Sequence, residues 1–227
     1  MTCWPRTVRS AEAGSPPRLA TTPVGIYQNV LFPRLCNLVM RNHRFTPYRQ
    51  RVIGAAQGRV LEIGAGSGLN FPYYGPCVRE IIALEPSPRL IGMAGQNCRV
   101  KDLPVTFLAA SAEAIPLDSR SIDTVVMTWT LCSIPDVTAA LSEMRRVLNP
   151  NGRLLFVEHG AAPDARLRRW QDRLSPAWQT LSGGCHLNRA TRELLEANGF
   201  LIEQLATGYM GAPKLLTFMS EGHAQVR

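Results

Sequence analysis

The sequence predicts an α/β fold, a doubly wound, mostly parallel sheet of seven strands with an antiparallel hairpin at its C-terminal edge. Three observations carry this reading. From residue 59 onward, short apolar runs alternate with helical patterns, the rhythm of βαβ units. The first run ends in a glycine-rich turn, Gly64-Ala65-Gly66-Ser67-Gly68. The second ends on Glu85-Pro86, about 20 residues further on, where a nucleotide-binding fold places a carboxylate.

Each element has its own warrant. Residues 1–23 are rich in Pro, Ser, Gly, Ala and Arg and predict a basic leader without fixed structure. Residues 24–58 predict a helical lid. In it, Ile26–Met40 carries apolar residues at 26, 30, 31, 35, 38 and 39, one face of a helix with Pro33 as its start or kink. A short helix follows over Tyr48–Ala56. Residues 59–227 form the main domain. Val60–Ile63, Ile81–Leu84, Val105–Ala109, Ile122–Met127 and Arg153–Val157 read as its first five strands. Val137–Leu148 has helical periodicity and stops at Asn149-Pro150-Asn151-Gly152, a turn. Pro163–Leu181 is a long basic helix ending in Ser182-Gly183-Gly184. Thr191–Asn198 is a helix closed by Gly199. Phe200–Ala206 and Lys214–Met219 are the strands of the hairpin.

Composition narrows the function classes. The chain has 227 residues, 45% apolar and 19% charged, enough for one α/β domain with a full core. No apolar run approaches the roughly 20 residues that span a bilayer, and no secretory signal pattern is expected at the N-terminus. Cys3, Cys36, Cys77, Cys98, Cys132 and Cys185 form no C-x-x-C pair. Reduced thiols in a cytoplasm are therefore expected, with neither a disulfide scaffold nor a metal site. The net charge is +8, and it is not spread evenly. Residues 1–59 hold nine Arg against Glu12 alone, whereas the remainder is balanced. The basic N-terminal segment is either a solvated leader or a peripheral contact with acidic lipid or an anionic substrate. No aromatic-interleaved basic motif points to nucleic acid, and none is expected as a partner.

The chemistry begins at Glu62-Ile63-Gly64-Ala65-Gly66-Ser67-Gly68. A chain turning from strand to helix beneath a nucleoside must bring its backbone very close, and glycine permits that approach. Glu85 can accept two hydrogen bonds from ribose hydroxyls. A dinucleotide site reads G-x-G-x-x-G and faces pyrophosphate. Here Glu62 precedes the turn, suits a cationic amino-acid group and would repel pyrophosphate. A zwitterionic ligand with a ribose is expected, and S-adenosylmethionine fits.

Residues 60–160 resemble the class I, Rossmann-like methyltransferases of the small-molecule type. Val60–Gly68 resembles their first motif. Ser111-Ala112-Glu113-Ala114-Ile115-Pro116 resembles the segment after strand three that flanks adenine, with Ser111 where the family often has Asp. Ile122–Val126 followed by Leu141–Gly152 resembles the passage from strand four to strand five. Leu131-Cys132-Ser133, Glu158-His159-Gly160, Leu174-Ser175-Pro176-Ala177-Trp178 and Gly183–Arg189 resemble the branch of methyltransferase-like proteins that act on alkyl thiols. The resemblance implies S-adenosylmethionine held by Glu62, Gly64, Gly66, Gly68, Asn70, Glu85, Pro86, Ser111, Ala112, Glu113 and Thr128.

Methyl transfer is an in-line displacement at an already activated sulfonium methyl. The protein must align the nucleophile, exclude water and, where needed, remove a proton. His159, at the end of strand five, and His186, after the long helix, are the candidate general bases. A structural His beside Glu158 and an exposed loop His are the alternatives. Cys132 and Cys185 are expected as pocket lining or small buried hydrophobes. Trp129, Trp170 and Trp178 are expected as core or pocket wall. Three readings of function stay open: a small-molecule methyltransferase acting on a thiol or lipophilic acceptor, a lipid or quinone methyltransferase at a membrane surface, and a catalytically inert cofactor-binding protein. A dehydrogenase is a fourth and weaker one.

Overall fold

A computed structural model describes residues 31–98 and 103–227. The predicted leader and the first residues of the predicted lid helix lie outside them. The described chain opens with two short helices, α1 (Phe32–Met40) and α2 (Thr46–Gly54), joined by a 3-10 turn at His43–Phe45. Pro33 sits in the first turn of α1, where its missing N–H costs nothing.

Seven strands follow: β1 (Gly58–Ile63), β2 (Val78–Leu84), β3 (Val105–Leu108), β4 (Ile122–Thr128), β5 (Leu148–His159), β6 (Phe200–Tyr209) and β7 (Phe218–Val226). They form one sheet in the order β3-β2-β1-β4-β5-β7-β6. Pairing is parallel from β3 through β5 and antiparallel at β5–β7 and β7–β6. The chain order reverses between β1 and β4, so their carboxyl ends open a crevice.

Helices α3 (Pro88–Asn97), α4 (Val137–Val147), α5 (Ala165–Leu181) and α6 (Thr191–Ala197) complete the fold. Three of them are capped as their sequences dictate. Ser87, Asp136 and Asp164 each accept backbone N–H groups from the first turn of α3, α4 and α5.

Both faces of β1, β2, β4 and the second half of β5 are buried, which is why these strands read as near-continuous apolar runs. Successive side chains point to opposite faces. Leu61, Ile63, Val125, Met127, Leu154 and Phe156 pack on one side with Leu141 and Met144 of α4. Val60, Val126, Leu155 and Val157 pack on the other with Ile53, Tyr74 and Ala94.

The structure corrects three expectations. The last strand is Phe218–Val226, not Lys214–Met219. Its polar stretch Ser220-Glu221-Gly222-His223 hides a strand because the ladder is made by backbone, to β5 on one side and β6 on the other. Gly222 is needed there, since a Cβ would collide with the Gln204 carbonyl. Strand β5 starts at Leu148 rather than Arg153, because Leu148 pairs with Ile122 before the register shifts. Trp170 is neither core nor pocket wall. It is 54% exposed, with the Arg173 guanidinium over its ring. The sequence reading also named no helix at α3.

Phe156 is fully buried at the centre of the sheet. Phe156→Ala is expected to cost about 3–5 kcal/mol of unfolding free energy, the usual range for a core phenylalanine. Denaturant titration checks this, and a loss under about 1 kcal/mol would mean that the site collapses around the cavity.

Candidate functional site

The glycine-rich turn leaves β1 at the crevice, and its first and third glycines answer to space. A Cβ at Gly64 would lie 2.6 Å from the Thr130 side chain, and one at Gly68 would lie 2.7 Å from the Phe71 ring. Gly66 answers to conformation. Its φ is +56°, and its nearest neighbour would be 3.9 Å from an added Cβ, so the backbone here is open to an approaching ligand.

Glu85 closes the turn from the side. One carboxylate oxygen accepts the Gly66 N–H at 3.0 Å and the other accepts the Ser87 N–H at 2.9 Å. Burial pushes its carboxyl up, and these two donors hold it back.

Beneath the turn lies a buried polar network. Glu62 is fully enclosed, and burial raises its pKa to about 7 against the pull of Tyr74, Asn70 and Arg49. Its oxygens accept from Asn70 Nδ2 at 2.7 Å and the Tyr74 hydroxyl at 2.8 Å. Asn70 also donates to Thr128 Oγ1 at 2.9 Å, and its own oxygen accepts from Arg49 Nε at 2.9 Å. Arg49 is 4% exposed and lies over the rings of Trp129 and Phe45. Glu62 thus lies behind Asn70, which carries its polarity toward the crevice.

The cleft is a cavity of about 120 Å³. Its floor includes Gly64, Gly66 and Asn70, its wall Thr128 and Trp129, and its roof Cys36, Asn37 and Met40 of α1. Asn37 Oδ1 accepts from the Ser67 hydroxyl at 2.6 Å, which ties α1 onto the turn.

Not every predicted residue lines this cleft. Pro86 is exposed at the end of β2. Ser111 and Glu113 bond each other at 2.9 Å, and Glu113 also accepts the Asp136 N–H at 2.7 Å. They brace the loop before α4, while Ala112 is buried against the core.

The structure does bring together His159, Cys185 and Cys132. His159 Nε2 lies 3.1 Å from Cys185 Sγ, and hydrogen bonding to Cys132 together with burial pushes the Cys185 thiol up. His186 meets the backbone of the same turn, its backbone N–H donating to the Cys132 carbonyl at 2.8 Å and its Nδ1 lying 3.0 Å from that oxygen. Glu158, fully buried and raised to about 7 by desolvation, accepts the N–H groups of Thr130 and Leu131 at 2.9 and 3.0 Å. It thereby holds the 3-10 turn Leu131–Ser133 that carries Cys132.

Sequence reasoning missed Arg49, Thr130 and Cys36 as cleft residues, whereas Trp129, expected as core or pocket wall, lines the cleft. Trp129 and Thr130 follow β4 at the switch point, and that position was the available signal. Arg49 and Cys36 come from the N-terminal helices, whose docking no local pattern encodes.

Residues 61–156 match the model of a methyltransferase domain. S-adenosylmethionine is the cofactor it implies. The human thiol S-methyltransferase TMT1A is 36% identical over 146 residues, covering 62% of this chain and 59% of the relative's own length. The demethylmenaquinone methyltransferase of Renibacterium salmoninarum is 33% identical over 107 residues, 47% of this chain and 44% of its own. The chain thus spans about three fifths or less of these curated relatives. The crystal structure of the YcgJ protein from Bacillus subtilis superposes with a TM-score of 0.57 at 24% identity, over 77% of this chain and 76% of that one, and shares the Rossmann-like fold.

The buried carboxyl of Glu62 gives a signed pH effect. Its pKa rises from 4.5 to about 7 on folding, so the folded state holds the proton more tightly. The stabilisation is complete below about pH 4.5 and is lost as pH rises toward 7, by up to about 1.4 kcal/mol per pH unit. Relative to wild type, Glu62→Gln is expected to gain stability as pH rises from 5 to 7. Denaturation midpoints at several pH values check this, and a pH-independent difference would contradict it.

Proposed function

We propose that this chain transfers a methyl group from S-adenosylmethionine to a small lipophilic acceptor, with a thiol as the favoured nucleophile. The observation that carries the reading is the pairing of an open glycine turn with a carboxylate that already grips it through the Gly66 N–H. When bound, the cofactor supplies an electrophilic methyl on a sulfonium. Glu85 keeps free lone pairs for two ribose hydroxyls. Arg49 supplies a buried guanidinium for the cofactor's carboxylate, and Asn70, backed by Glu62, supplies a polar partner for its amino end.

Residues 31–58 act as the lid. The cleft of about 120 Å³ is smaller than the roughly 300–1,000 Å³ of pockets that hold drug-sized ligands. Helix α1 must therefore swing off Ser67 to admit the cofactor, and its return excludes water from the reacting methyl. His186 is the better placed of the two candidate bases. The Cys132 carbonyl can only accept, so in the neutral ring Nδ1 carries the hydrogen and Nε2 keeps the lone pair. In His159, Nε2 is already engaged by Cys185.

The thiol preference rests on the likeness to TMT1A. A second reading, a quinone or lipid acceptor met at a membrane surface, is favoured by α1 itself. Leu35, Leu38 and Val39 are exposed on it, and Arg34, Arg41 and Arg44 are exposed beside them. Among the described residues no helix is long and apolar enough to cross a membrane. Flotation with anionic vesicles, before and after Leu38→Glu, separates a membrane-docked enzyme from a freely diffusing one.

Calorimetric titration with S-adenosylmethionine and S-adenosylhomocysteine tests the reading. Binding is expected, and Glu85→Ala is expected to weaken it by about 1–3 kcal/mol, the scale of lost charged hydrogen bonds. Absence of binding to both ligands would sink the proposal. Binding without turnover on any thiol, quinol or lipid acceptor would leave a cofactor-binding regulator instead.

A further inference from the structure

We propose that Cys132, His159 and Cys185 form a binding site for one soft divalent cation of the zinc class. Their ligand atoms, two Sγ and one imidazole nitrogen, all lie within 4.8 Å of one another. Ligands at about 2.3 Å for sulfur and 2.0–2.1 Å for nitrogen on a tetrahedral ion are separated from each other by roughly 3.5–3.8 Å. The three donors are therefore already gathered, and small side-chain rotations complete the arrangement.

Three elements far apart in sequence build the site. Cys132 comes from the turn after β4, His159 from the end of β5, and Cys185 from the loop after α5. The surroundings hold the ligands in place. Glu158 fixes the Cys132 turn through the Thr130 and Leu131 N–H groups, as the outer carboxylates of metal sites orient their ligands. Arg189 donates to the Leu131 carbonyl of the same turn. The charges also balance: a divalent ion would neutralise two thiolates, and Glu158 and Arg189 offset each other.

Two thiolates, one imidazole and a fourth open position make the ligand set of a catalytic zinc site rather than a closed structural one. The site adjoins the cleft. Trp129 and Thr130, which line the cleft, lead directly into the Cys132 turn. On the thiol-methyltransferase reading, and resting on it, the open position takes the acceptor. The acceptor's S–H gives its proton to His186. The sulfur lone pair then forms the new S–CH3 bond as the sulfonium S–CH3 bond breaks, leaving neutral S-adenosylhomocysteine.

The test uses the full chain, purified reduced and stripped with a chelator. Titration with Co2+ and then Zn2+ is expected to show one equivalent bound, with a thiolate-to-cobalt charge-transfer band that Zn2+ abolishes. Cys132→Ser, Cys185→Ser and His159→Gln should each remove or sharply weaken the band, and Cys77→Ser should keep it. S-adenosylhomocysteine binding reports that each variant is folded. No binding by wild type, a band that survives both cysteine replacements, or a Cys132–Cys185 disulfide in the reduced protein would overturn the site. Metal binding without thiol methylation supports the site and sinks the acceptor reading. Thiol methylation by metal-free enzyme, at the same rate with and without Zn2+, overturns the placement of the acceptor on the metal and leaves the thiol-methyltransferase reading intact.

Discussion

The working end of this molecule depends on carboxylates buried at the carboxyl ends of parallel strands. Glu62 lies in β1, Glu85 just after β2 and Glu158 near the end of β5, and none is more than 6% exposed. Removing an ionised carboxylate from water is costly unless hydrogen bonds replace the lost hydration. Each finds its donors in a loop that must be held still. Glu85 takes the Gly66 and Ser87 N–H groups, Glu158 those of Thr130 and Leu131, and Glu62 the side chains of Asn70 and Tyr74. The need to satisfy three acidic groups thus pins the loops around the crevice.

The same constraint explains why the cleft's polarity is indirect. Glu62 is fully buried and orients Asn70, which in turn engages Arg49 and Thr128. A cation and an anion are held within one network, which suits a ligand carrying both charges. Arg49 is kept in place by stacking on Trp129 and Phe45 and by the Met40 carbonyl. Helix α1, the turn after β4 and the floor of the cleft are therefore mechanically connected.

On the far side of β4, a second polar cluster is organised by the same strand ends. Cys132 lies in the turn after β4 and His159 at the end of its parallel neighbour β5, and the loop after α5 lays Cys185 against them. Thiols of this kind usually pack as small hydrophobes. Here an imidazole and a second thiol meet them instead, so the cluster carries chemistry that packing alone does not require.

What the sequence by itself determined is local. Continuous apolar runs, the spacing of Gly64, Gly66, Gly68 and Glu85, and the helical periodicity of Val137–Leu148 report the parallel sheet, its first turn and a covering helix. These signals depend only on neighbours a few residues away or on burial of both sheet faces. Only the tertiary structure decided that Phe218–Val226 is the last strand, because a polar segment becomes a strand when two backbones offer it a ladder. It alone moved Glu62 behind Asn70, brought Arg49 and Cys36 over the cleft and joined Cys132, His159 and Cys185. Those contacts join residues up to 80 positions apart, as Arg49 and Trp129 are. Long-range packing selects such pairs, and no periodicity in the chain records it.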